Sequence, residues 1–88
     1  MGMKLERITV TTRDGYRGSQ DPTGFQWRGS TFVIEEIVDR WYEGRLDSTR
    51  VPMRYFRVRT DEGTLFVLRH HELFEAWSLV VPHDFLGT

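Results

Sequence analysis

Eighty-eight residues, 39% of them hydrophobic and 14% aromatic, suffice for one packed domain and leave no room for a second core. The absence of cysteine excludes a disulfide scaffold, a thiolate nucleophile and any Cys-ligated metal site. A net charge of −1 means that no global field draws in nucleic acid or an anionic membrane.

The chain opens without an apolar signal segment, and no run approaches the ~18 apolar residues of a membrane span, so a cytoplasmic protein is expected. "KLERITVTT" places Leu5, then Ile8, Val10 and Thr12, in near-alternation with polar residues, the pattern of a half-buried strand. "RDGYRGSQDPTG" follows, rich in glycine with Pro22 and two aspartates, and is expected to form a flexible loop over residues 13–24. It lacks the glycine spacing of a phosphate cradle.

Residues 25–45 admit two readings. As a helix, Val33, Ile37 and Trp41 fall on one stripe, with Ser30 as cap and Gly44 as stop. As strands, Phe25 and Trp27 face Phe32 and Ile34 across an Arg-Gly-Ser turn. Ile37 and Trp41 then fall on the wrong face, unless a bulge near Glu35-Glu36 re-phases the alternation. Composition decides. Thr31, Val33, Ile34, Ile37 and Val38 are β-branched, and residues 31–42 contain no Ala, Leu, Lys or Gln. Such a run costs several tenths of a kcal/mol per residue in a helix relative to Ala. The strand is the expectation, with helix over residues 31–43, and hence an α+β fold, as the alternative.

"MRYFRVRT" alternates again, "TDEGT" reads as a hairpin turn with Gly63 supplying positive φ, and "LFVLRH" returns. "HHELFEA" is a second turn or a single helical turn, "WSLVV" closes the sheet, and residues 83–88 form a tail. The sum is an all-β single domain with a core over about residues 4–82: a small antiparallel barrel or roll, SH3-like, of about six strands.

Three stretches in this order, "FQWRGSTFVIEEIVDRWYE", "YFRVRTDEGTLFVLRH" and "WSLV", resemble a family of small bacterial proteins of unknown function. The likeness covers roughly residues 24–81. A similar domain is appended to Y-family translesion DNA polymerases in some actinobacteria. The resemblance implies a compact β domain and an association with DNA repair, and it assigns no functional residue. The chain departs from the family pattern at "HHELFEA", where a short turn is usual.

Little in the sequence carries catalytic chemistry. His70 and His71 point to opposite faces of a strand, so they do not share a metal ion, and Glu72, His83 and Asp84 complete no ligand set. Glu35, Glu36 and Asp39 diverge for the same reason and read as a solvated face. No serine lies in a nucleophile elbow. No enzyme, no cofactor and no metal are expected.

The positive signal is charge. Eleven of the twelve basic residues are arginine, and residues 40–59 carry a local +4, while residues 60–88 carry −4. Tyr55, Arg57 and Arg59 alternate with Phe56 and Val58, so they share a face open to stacking and anion contact, thickened by Arg40 and Arg54. The exposed loop "EGRLDSTRVP" would lie beside them. Pairing of these arginines with Glu35, Glu36 or Asp39 would neutralise the stripe. The expected function is a non-catalytic binding module that works through contacts with an unidentified protein or by self-association. A nucleic-acid-binding accessory domain is the alternative.

Overall fold

The computed structural model describes residues 3–15, 20–43 and 52–82. It contains seven strands: β1 (Met3–Arg7), β2 (Thr9–Asp14), β3 (Gln20–Trp27), β4 (Ser30–Glu43), β5 (Met53–Thr60), β6 (Leu65–His71) and β7 (Ala76–Pro82). All neighbours are antiparallel, in the order β1-β7-β6-β5-β4-β3-β2. β1 and β2 stand at opposite ends of that order, yet only Ile8 separates them, and its N–H donates to the Trp77 carbonyl at 3.2 Å. One bent segment therefore serves both edges and curls the sheet into a half-barrel. The all-β expectation holds, with this bend dividing the first predicted strand in two and raising six strands to seven.

β4 is strand throughout, not helix, because its β-branched and aromatic side chains favour the pleated surface. Its register contains two irregularities. Ile34 opposes Thr60 and Glu36 opposes Arg59, leaving Glu35 as an extra residue; Ile37 opposes Val58 and Asp39 opposes Arg57, leaving Val38 as a second. The first bulge lies where the sequence required one and brings Ile37 onto the core side with Phe32 and Ile34. The second was not anticipated. It sends Trp41 to the outer face, where the sequence reading had grouped it with Ile37.

The turns follow local chemistry. Arg28 and Gly29 have φ of 52° and 79°, the two positive values of the hairpin turn whose twist matches its strands. Gly63, at φ 87°, closes β5–β6, where the Thr64 N–H donates to Thr60 Oγ1. "HHELFEA" forms a turn between β6 and β7 with Glu75 at φ 53°.

The loop expected over 13–24 shrinks from both sides, because pairing continues to Asp14 and resumes at Gln20. Thr11 opposes Gly24 and Thr12 opposes Pro22, so Thr23 is bulged and the proline sits beside a break in the ladder. A Cβ at Gly24 would lie 3.0 Å from the Phe32 carbonyl oxygen, so glycine there answers a close strand approach and not a turn. Residues 16–19, residues 44–51 of the loop "EGRLDSTRVP", and the tail with His83 and Asp84 lie outside the described residues.

Phe25, Trp27, Phe56, Val58, Leu68, Trp77, Leu79 and Val81 fill the concave side. Burying an aliphatic or phenylalanine side chain of this kind stabilises by about 1.5–3 kcal/mol relative to leaving it in water. Glu6 clasps β1 to the β3–β4 turn: its carboxylate accepts from Trp27 Nε1 at 2.8 Å and from Arg28 Nη2 at 2.7 Å. Those two donors hold its pKa below the ordinary 4.5.

Candidate contact surface

The second bulge of β4 builds the site. With Val38 out of register, Arg40 opposes Phe56 and Tyr42 opposes Arg54 on the concave side, while Trp41 opposes Tyr55 on the outer side. Trp41 and Tyr55 lie flat on each other, centroids 5.3 Å apart and planes parallel, and the Arg57 guanidinium sits 5.8 Å from the Trp41 ring. The Tyr55 hydroxyl donates to Glu43 at 3.0 Å. Burial of the ring raises the Tyr55 pKa above 10.0, and the Glu43 carboxylate raises it further, against an opposing pull from Arg69 across the strand.

On the concave side the same end of the sheet holds a small checkerboard. Arg40 lies over Phe56 and Arg54 over Tyr42, each at 5.8 Å from the ring centroid. With Trp41 and Tyr55 these residues line a cavity of about 340 Å³. Each arginine also holds a carboxylate: Arg40 reaches Asp21 at 2.9 Å and Arg54 reaches Glu72 at 2.6 Å.

The five residues expected to form one nucleic-acid face are therefore divided. Tyr55, Arg57 and Arg59 share the outer face; Arg40 and Arg54 lie on the other. Arg59 is held by Glu36 and, at 3.5 Å, by Glu35, so the neutralisation weighed for the stripe occurs at that position. Arg57 faces Asp39 in the register, but no ion pair joins them, and it has none among the described residues.

Sequence reasoning missed Trp41, Tyr42 and Arg69 as site residues. Trp41 and Tyr42 stay 39% and 57% exposed. The one available signal was the second phase break at Val38, masked because valine there satisfies either phase.

The histidines diverge as alternation requires. His70 is buried, stacks on Trp77 at 4.3 Å and meets Glu75 at 3.1 Å, while His71 stacks on Phe74. Among the described residues no three His, Asp or Glu side chains converge as a metal site. No helix among them is long and apolar enough to cross a membrane.

No curated protein and no solved structure matches the chain. Residues 5–81, from within β1 to within β7, match the family described as "Domain of unknown function (DUF6504)". That span reaches every strand of the half-barrel and takes in the whole aromatic–arginine surface, and the chain belongs to that family.

Proposed function

We propose that this domain is a non-catalytic binding module that acts through protein–protein contacts, with Trp41, Tyr55 and Arg57 at the centre of its contact surface. One observation carries the reading: Trp41 remains exposed beside Arg57 and flat on Tyr55 at the end of the β4–β5 ribbon, in a domain that otherwise shuts its tryptophans away. Trp, Tyr and Arg are the residues that dominate binding energy in protein interfaces, and contiguous exposed apolar surface marks interaction sites. The ion pairs point the same way. A phosphate at Arg40, Arg54 or Arg59 must first displace Asp21, Glu72 or Glu36.

Nucleic-acid binding is the second reading, favoured by the freedom of Arg57 from ion pairs among the described residues and its place against the Trp41 ring. The resemblance to domains appended to translesion polymerases supports a setting in bacterial DNA repair. A cysteine-free composition suits the reducing cytoplasm.

Immobilised domain and its Trp41→Ala variant, exposed to the same lysate, test the proposal together with sedimentation of the free domain. The expected result is a stoichiometric protein partner, or a dimer, that the variant loses. A strict monomer that retains nothing, or retains nucleic acid alone, overturns it.

A further inference from the structure

The convex face of β5, β6, β7 and β1 has an unusual charge pattern. Its outward positions alternate with the buried core residues of the same strands, and among the described residues they include no aspartate or glutamate. The carboxylates of this face are confined to β4, where Glu36, Asp39 and Glu43 oppose Arg59, Arg57 and Met53. Beyond β5 the face carries arginines, apolar groups and the neutral polar side chains of His71 and Ser78.

Cross-strand register sets these cations in a line. Tyr55 opposes Arg69, Arg69 opposes Ser78, and Ser78 opposes Arg7, so one row runs Trp41–Tyr55–Arg69–Ser78–Arg7 across five strands. Arg57 stands one diagonal step from Arg69, through its partner Val67. The Arg69 Nε is buried without a hydrogen-bond partner, and Arg7 is exposed with no ion pair among the described residues. Arg7 also lines an open groove of about 590 Å³ with Thr9, Gln26, Trp27, Arg28 and Thr31.

We infer that this row is a docking track for an extended, acidic protein segment. The inference rests on the protein-contact reading above and names the partner's chemistry. Strands are spaced by about 4.8 Å, so Arg69 and Arg7, two strands apart, stand about 9.6 Å from each other. An extended chain of the polyproline type brings every third residue back to the same side about 9.3 Å further on, so carboxylates three positions apart meet Arg57, Arg69 and Arg7 in turn. Guanidinium forks suit carboxylates, and beyond β4 the face sets no carboxylate against such a segment.

Two observations favour a protein segment over a nucleic-acid strand. Trp41 and Tyr55 each give a ring face to the other, and Arg57 already lies against Trp41, which leaves that ring little room to stack on a base. The chain's net charge of −1 also supplies no long-range attraction for a polyanion, whereas a short acidic segment needs only the local field.

Fluorescence anisotropy tests the inference, with a labelled peptide of repeating Glu-Ser-Ser, its Gln-Ser-Ser counterpart and an oligothymidine of similar length, all at low ionic strength. The acidic peptide is expected to bind and the Gln peptide not to. Arg7→Gln and Arg69→Gln should each weaken binding roughly fivefold, while Arg13→Gln, off the row on β2, changes nothing. Arg7 is exposed, so its variant remains informative if loss of the half-buried Arg69 impairs folding. Equal binding of both peptides, no binding, equal loss in Arg13→Gln, or preference for oligothymidine overturns the inference. If the Arg7 and Arg69 variants keep a partner that Trp41→Ala loses, the acidic track fails while the contact reading stands. If all three keep it, both fail.

Discussion

At the start of β4, Phe32 joins Phe25, Trp27 and Phe66 in a cluster where Phe66 meets the other three rings edge-on at 5.2–6.0 Å. At the end of the same strand, Trp41 lies flat on Tyr55 at the surface, with a guanidinium beside it. Both groups are aromatic and both are built on β4, but the first holds the sheet closed while the second faces outward. Nine positions separate Phe32 from Trp41, so alternation alone would put them on opposite faces. The first bulge, at Glu35, turns Ile37 inward and would carry Trp41 in with it; the second, at Val38, returns Trp41 to the outside. Each bulge reverses the side to which later residues point, so a ring's face is set by its register and not by its own hydrophobicity.

The sharpest way to break this comparison is to truncate one ring from each cluster. Phe25 is 2% exposed and touches both Phe32 and Phe66. Phe25→Ala should cost about 3–5 kcal/mol in urea unfolding, a large part of the stability of a domain this size. Trp41→Ala should cost about 1 kcal/mol, the scale of an exposed aromatic pair. Equal losses would show the outer stack to be structural and would remove the argument for a contact role.

These two clusters also mark how far the sequence could be read. The conflict between Phe32-Ile34 and Ile37 demanded a bulge near Glu35, because placing Ile37 in water was the alternative. Nothing local demanded the second bulge, since Val38 and Trp41 are each acceptable on either face. The β-branched run of residues 31–38 made the strand legible. Pro22 and Gly24 looked like loop residues, but their reasons are tertiary: a break in the β2–β3 ladder and the Phe32 carbonyl of the next strand. The Tyr55-Arg57-Arg59 stripe was visible as alternation within one strand. Arg69 and Arg7 join it only through register, which links positions far apart in the chain.

A smaller effect separates the clusters by pH. Glu6 braces the buried cluster through Trp27 Nε1 and Arg28, and its pKa is lowered by those bonds. The unfolded chain therefore takes up this proton at a higher pH than the folded one. The resulting stability is fully present above the ordinary value of 4.5 and is lost as pH falls through the lower folded value. Thermal melts should show Glu6→Gln less stable than the parent at neutral pH, with the gap closing in acid. A gap that stays constant across that range would mean that Glu6 acts through packing alone.

The least of these effects belongs to the outer stack and has the opposite sign. Tyr55 holds its proton to a higher pH than an ordinary tyrosine, first because its ring is partly withdrawn from water and then because its hydroxyl donates to the Glu43 carboxylate. The unfolded chain loses this proton first, so the contribution is complete below 10.0 and disappears as pH rises through the folded value. In a phenolate absorbance titration, Tyr55→Phe should remove signal from the alkaline end of the curve. Trp41→Ala should move that signal to lower pH, because opening one face of the Tyr55 ring to water weakens the larger of the two causes. If Trp41→Ala leaves the curve unchanged, the stack does not shield Tyr55, and the two rings at the end of β4 are neighbours and not a unit.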